Sequence, residues 1–245
     1  MKICVAQTNP ISGAIEQNIQ GHIQLIQLAI SYGAGLIVFP ELSLTGYEPT
    51  LANRLATTAD DKRLDPFQEL SDNHQVIVGA GLPTKAGTGV AISMVLFQPH
   101  QPRLVYSKKW IHADEEPYFA SSSHFTGLLG GEARIALAIC YELSVPEHAA
   151  DAFRNDAKVY IASVSKTFGG IDKAFSRLSE IAQTYSMTVL LSNQVGLAEG
   201  QPCAGRSAIW NNKGELVEQL DRLREGVLLI DLGTQKVVKS YLQDE

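Results

Sequence analysis

Cysteine is scarce in this chain: Cys4, Cys140 and Cys203 are the three in 245 residues, widely spaced, odd in number and outside any CxxC pair. That excludes a disulfide framework and a zinc knuckle, and makes a small buried apolar side chain the default expectation for each. Positive charge is also short, with 20 Lys and Arg against 26 Asp and Glu for a formal net charge of -6. A surface that binds nucleic-acid phosphates needs concentrated Lys and Arg, so no nucleic-acid partner is expected. No stretch reaches the ~18 apolar residues that span a bilayer. The segment Met1-Lys-Ile-Cys-Val-Ala-Gln lacks a signal-peptide core, and the expectation is a cytoplasmic protein with no membrane partner. The phosphate-binding P-loop motif is missing, the histidine spacing gives no metal site, and Gly79-Ala-Gly81 continues Leu-Pro-Thr without the third glycine of a dinucleotide fingerprint.

What the sequence does have is apolar periodicity, in a composition 45% apolar and 19% charged that can bury a sizeable core. Lys2 to Thr8 reads as a buried strand. From Ile15, Ile19, Ile23, Ile26 and Ile30 recur at helical spacing until Gly33 and Gly35 end the helix. Leu36 to Phe39 is a second strand, completing a βαβ unit. A helix near Phe67 to Ser71 and strands at Val76 to Gly79, Ala91 to Phe97 and Leu104 to Tyr106 follow. The order then restarts: strand Ile135 to Ile139, a helix announced by the capping sequence Ser144-Val-Pro-Glu147, and strand Val159 to Ala162. Ile171, Ala174, Phe175, Leu178, Ile181, Ala182 and Tyr185 make one apolar helix face, ahead of strands at Thr188 to Ser192, Ser207 to Trp210, near Leu216 and at Val227 to Ile230. Both halves carry a strand running into Glu-Leu-Ser (Glu41 to Ser43, Glu142 to Ser144), and no linker separates them. The expected fold class is therefore α/β, a single domain over residues 1–245 built of two similar halves, sheets face to face and helices outside.

Chemistry belongs where apolar strands end in polar residues at the rim of a sheet, as in Val38-Phe-Pro-Glu41 and Ala138-Ile-Cys-Tyr-Glu142. A third segment, Tyr106-Ser-Lys-Lys-Trp-Ile-His-Ala-Asp-Glu-Glu-Pro-Tyr-Phe119, is dense in ionisable groups. A thiol, a carboxylate and an ammonium together suffice for acyl transfer: the carboxylate takes the thiol proton, the thiolate attacks a carbonyl, and the cation meets the oxyanion. Cys140 is the expected nucleophile because it ends a strand just ahead of a helix, whereas Cys4 lies inside an apolar strand and Cys203 in a turn. A cysteine-protease pairing would draw on His112, His124 or His148; the last falls in a predicted helix and is assigned a surface or cap role. Lys166, Lys173 and Arg206 are candidate partners for a substrate carboxylate.

Phe39-Pro-Glu-Leu-Ser-Leu-Thr-Gly-Tyr47, Tyr106-Ser-Lys108 and Ile139-Cys-Tyr-Glu-Leu-Ser-Val-Pro-Glu147 resemble, in order, the glutamate, lysine and cysteine motifs of the nitrilase (carbon-nitrogen hydrolase) superfamily. Asn193-Gln-Val-Gly196 and Cys203 to Gly214 resemble its later signatures, so the resemblance covers nearly the whole chain. It implies a four-layer αββα sandwich, a homodimer or larger homo-oligomer, and no metal or organic cofactor. It also implies roles: Cys140 as acylated nucleophile, Glu41 as general base, Lys108 rather than Lys109 at the oxyanion with the backbone amide of Tyr141, and a second carboxylate beside the lysine. Glu116, eight residues after Lys108 and followed by Pro-Tyr-Phe, is the residue expected there in preference to Glu115 or Glu142. The chain departs from the family at Ile92-Ser93, where an asparagine is common, and at Ser121-Ser-Ser123, where Pro-Gly often follows the second glutamate. The expected partner is a small linear amide or N-carbamoyl compound, since Cys-Tyr-Glu resembles the amidase and carbamoylase branches and Cys-Trp-Glu the nitrilase branch. The alternatives are a nitrile-cleaving enzyme and a catalytically silent binding protein on the same fold.

Overall fold

Alternation along the strands decides the layers. In the computed structural model, which describes residues 1–122 and 128–242, Ile3 and Val5 of β1 (Lys2–Gln7) and Leu36 and Val38 of β2 (Leu36–Val38) face a core between two sheets. The intervening Cys4, Ala6, Ile37 and Phe39 point the other way. They meet Ile15, Ile19, Leu25 and Ile26 of helix α1 (Ile15–Ser31), together with Phe67. A period of two in the strands against 3.6 in the helix thus produces an outer helical layer and an inner sheet–sheet core.

The first half continues through a short α2 (Ala52–Leu55), α3 (Asp65–His74), β3 (Ile77–Ala86), β4 (Gly89–Phe97) and β5 (Leu104–Ser107). The second runs β6 (Ile135–Ile139), α4 (Pro146–Arg154), β7 (Val159–Ser163), α5 (Ile171–Tyr185) and β8 (Thr188–Ser192). It ends with a small ribbon of β9 (Leu197–Ala198) and β10 (Gln201–Pro202), then β11 (Ala208–Trp210), β12 (Leu216–Gln219), β13 (Gly226–Asp231) and β14 (Val237–Tyr241). One sheet has the order β14-β13-β1-β2-β3-β4-β5 and the other β12-β11-β8-β7-β6. With α5 burying Ile171, Ala174, Leu178, Ile181 and Ala182 against the second sheet, the molecule is a four-layer αββα sandwich. Hydroxyls stitch the sheets together: Ser192 Oγ donates to the carbonyls of Ala6 (2.8 Å) and Val38 (3.1 Å), and Ser163 Oγ to that of Phe39 (2.8 Å).

Two local expectations are corrected. Ser144 does not cap α4; it closes a 3-10 turn over Cys140–Ser144, and the helix begins with Val145 as N-cap and Pro146 in its first turn. The strand expected to stop at Gly79 continues to Ala86. Pro83 is tolerated because β2 pairs with β3 only as far as Gly79, and beyond it a single bridge from Thr57 to Thr84 replaces the ladder on that side. β13 returns to pair with β1, Lys2 opposite Asp231, and β14 adds outside it, so the two halves share the first sheet.

Candidate active site

Three strand ends of the two sheets converge. Glu41 lies three residues beyond β2, in a turn that runs close over β3: a Cβ on Gly81 would come within 2.4 Å of the Pro40 carbonyl and 2.6 Å of the Leu42 nitrogen. Lys108 follows β5 directly, its N–H donating to the Ile92 carbonyl at 2.8 Å. Cys140 follows β6 and has φ +43°, while Leu42, next to Glu41, has φ +51°. Left-handed backbone at non-glycine residues costs on the order of 1–3 kcal/mol and persists only where surrounding structure enforces it. At Cys140 that structure is the carboxylate of Glu142. Its Oε2 accepts from the Ile139 N–H (2.9 Å) and the Tyr106 hydroxyl (2.6 Å), and its Oε1 from the Lys109 N–H (2.8 Å), tying the cysteine turn to the lysine segment.

The Lys108 ammonium is buried and donates to Glu41 Oε1 at 2.9 Å and Glu115 Oε1 at 2.7 Å. Glu115 is itself fixed by the Tyr47 hydroxyl (2.9 Å to Oε1) and the His112 N–H (2.8 Å to Oε2). Burial works against the charge on Lys108, but the Glu41 and Glu115 carboxylates outweigh it and hold the ammonium protonated above its usual range. Burial pushes Glu41 up from the ordinary carboxylate value, with Lys108 opposing and Glu115 reinforcing. Burial and the Glu41 charge likewise raise the Cys140 thiol, against the pull of Lys166 and Lys108. Such a thiol stays protonated at neutral pH and needs a base. Glu41 Oε2 is buried and has no hydrogen-bond partner among the described residues, so one carboxylate oxygen is free for that proton.

The structure thus brings Glu41, Lys108 and Cys140 together and places Glu116 away from them. Glu116 is exposed to solvent; Glu115, one position earlier, is the carboxylate on Lys108. The reason is a tight turn in which the Phe119 N–H bonds back to the Glu115 carbonyl and the Glu115 N–H to that of His112, turning residue 115 inward. Lys109 is exposed, with its ammonium 4.4 Å from the Trp110 ring. His148, expected at the surface or a cap, is buried, its Nδ1 2.8 Å from the Tyr160 hydroxyl and its Nε2 3.0 Å from that of Tyr106. It supports the Glu142 network, and burial lowers its pKa. Where the asparagine is missing, Ser93 Oγ links Thr84 Oγ1 (2.7 Å) and Ser107 Oγ (2.8 Å). Tyr47 was not singled out as a site residue although it closes the glutamate motif. His124 and Ser123 lie outside the described residues.

Residues 2–239 match the sequence model of the family described as Carbon-nitrogen hydrolase. Glutamine-dependent NAD(+) synthetase of Thermotoga maritima is 25% identical over 254 residues, covering 100% of this chain and 44% of that protein, so the chain spans less than half its length. An (R)-stereoselective amidase of Pseudomonas sp is 26% identical over 220 residues, covering 85% of this chain and 78% of the amidase. Among solved structures, the amidase of Nesterenkonia sp. AN1 has the same fold, with a TM-score of 0.85 at 20% identity over 96% of this chain and 92% of that one.

Proposed function

Because the chain belongs to the carbon-nitrogen hydrolase family, and hydrolysis of amide C–N bonds follows as its general activity, we propose that it cleaves a small linear amide or N-carbamoyl compound through an acyl-enzyme on Cys140. The observation that carries this reading is the buried Lys108 ammonium held by Glu41 and Glu115 beside the Cys140 thiol. Glu41 Oε2 takes the thiol proton and the sulfur adds to the carbonyl carbon. The oxyanion is received by Lys108 and the backbone N–H of Tyr141, in the first turn after β6. Collapse of the adduct breaks the C–N bond as protonated Glu41 returns its proton to the leaving nitrogen, so ammonia or an amine departs and a thioester remains. Water, deprotonated by Glu41, then cleaves the thioester to the acid and restores the thiol. Glu115 keeps Lys108 charged and aimed. The Nesterenkonia amidase, described in complex with butyramide and with covalent addition at an active-site cysteine, supports the same class of substrate here.

The test is ammonia release from a panel of aliphatic amides, N-carbamoyl amines and glutamine, with intact-mass detection of the acyl adduct. Turnover that vanishes in Cys140→Ala, and an adduct mapped to Cys140, are expected. Nitriles converted to acids while their amides are inert would assign the other branch, and an inert protein whose Cys203 takes the label would remove the assignment.

A further inference from the structure

Glu41 is held at one of its two oxygens. Oε1 accepts from Lys108, while Oε2 has no hydrogen-bond partner among the described residues, so where the free oxygen points depends on the backbone that carries residue 41. That backbone passes directly into Leu42 at φ +51°, a conformation that neighbours must enforce. β3 supplies one support, the Gly81 carbonyl accepting from the Leu44 N–H at 2.9 Å. Helix α1 supplies another. Asn18 Nδ2 donates to the Leu44 carbonyl (3.0 Å), and His22, one turn further along the helix and 1% exposed, reaches both flanks of Glu41. Its ring stacks on Phe39, two residues before Glu41, with centroids 4.0 Å apart and planes 20° from parallel. Its Nε2 lies 2.9 Å from the Oγ of Ser43, two residues after.

The hydrogen bonds fix the tautomer of that ring. His22 Nδ1 is 2.7 Å from the Asn18 carbonyl, which can only accept, so Nδ1 carries the proton and Nε2 presents its lone pair to the Ser43 hydroxyl. Ser43 Oγ in turn accepts from the Gly81 N–H at 3.4 Å, joining the helix to β3 through the Glu41 turn. Burial pushes the His22 pKa down to about 3, so the ring keeps this neutral form through the neutral range. A buried imidazole costs free energy that an apolar ring in the same place does not, unless its nitrogens are bonded. Here both are, and the partner of Nε2 belongs to the turn that carries Glu41.

We propose that His22 is a positioning residue for the general base: by gripping Phe39 and Ser43 it sets where Glu41 Oε2 points, toward the Cys140 thiol and the leaving nitrogen. The inference rests on Glu41 serving as the base of an acyl-enzyme on Cys140. Two variants remove the same bond from either end. His22→Phe keeps a ring against Phe39, and Ser43→Ala leaves the imidazole intact. In each, kcat for an amide of the panel is expected to fall about 10- to 100-fold, the range for a misplaced catalytic group, with KM within about twofold. The double variant should lose no more than the larger single loss, because one bond is removed in all three. The p-nitrophenyl ester of the same acyl group separates alignment from general damage. Nitrophenolate departs without a proton from Glu41, so the ratio of kcat/KM for the amide to that for the ester should fall in both variants, whereas a smaller folded fraction lowers the two alike. Nitrogen NMR of the isotope-labelled wild-type protein should find His22 protonated at Nδ1 and bare at Nε2. Wild-type kcat in Ser43→Ala, an unchanged amide-to-ester ratio in both variants, or a proton on His22 Nε2 overturns the proposal. Failure of the parent reading looks different: Glu41→Gln or Cys140→Ala keeps the amide turnover of the wild type, and the inference falls with it.

Discussion

Two carboxylates on one buried ammonium make residue 115 a sharper question than any other position. Glu115→Gln removes a charge that touches Lys108, while Glu116 projects into solvent one residue away. Turnover at saturating substrate is expected to drop roughly tenfold or more in Glu115→Gln, as for loss of an electrostatic support to an oxyanion donor. In Glu116→Gln it should stay within about twofold, as for an isolated surface change. The opposite ranking would return the role to Glu116. Glu41 makes a second prediction, in stability. Burial holds its folded-state pKa above the ordinary 4.5, so the folded chain keeps a proton that the unfolded chain releases. The stability contributed by that proton is present below pH 4.5 and is lost as pH rises through the folded value. Gln carries no proton to lose, so the difference in Tm between Glu41→Gln and the wild type should become more positive from pH 4.5 toward pH 8, at about 2–4 °C per kcal/mol. A difference that shrinks with pH in thermal melts would mean that Lys108 overrides burial at this carboxylate.

At the scale of elements, the Glu41 turn is seated by an absence. Gly81 on β3 has no side chain, and the Pro40 carbonyl and the Leu42 nitrogen occupy the space a Cβ would need. Gly81→Ala must push the turn, and with it Glu41, away from β3. It should lower turnover at least tenfold and cost about 1–3 kcal/mol, the range for overpacking, to be read from kcat and from denaturant midpoints. Unchanged kcat would show that the turn moves without carrying the carboxylate. Elements with a clean apolar period are legible in the sequence: the strands Ile135–Ile139 and Thr188–Ser192 coincide with their expected spans, and the apolar face from Ile171 to Tyr185 spans α5. Those governed by neighbours are not. β3 was cut short because Gly79, Gly81 and Pro83 weaken strand propensity, which pairing with all of β4 overrides. β14 went unread because Val237-Val-Lys-Ser-Tyr241 is an edge strand, half-buried and without a clean alternation. In the site, Glu41 and Cys140 are legible as the polar ends of apolar strands, and Lys108 through the resemblance of Tyr106-Ser-Lys108 to the family's lysine motif. Glu115 is not, because a single residue's offset depends on the turn from His112 to Phe119, which spacing does not encode. Lys166, whose charge acts on the Cys140 thiol, stands out in the sequence only as one cation among several.

The molecule as a whole is closed by its carboxyl-terminal strands. β13 lies between β1 and β14; its Val227 and Leu229 enter the core under α1, and its Leu228 and Ile230 the core between the sheets. Ending the chain after Glu225 removes both strands, opens the edge of β1 and uncovers apolar surface on two sides. The truncated chain is expected in the insoluble fraction without a cooperative thermal transition by circular dichroism; a soluble product with a sharp melt would show that the first sheet closes without them. The pairing of Lys2 with Asp231 also sets a timetable. Loop-closure entropy makes contacts between distant parts of a chain slow to form, so β1 waits for a neighbour that emerges only after β2 to β12. During that interval its open edge can recruit a strand from another nascent chain, which makes the rate of synthesis, as much as the stability of the finished sandwich, a determinant of how much protein reaches the native state.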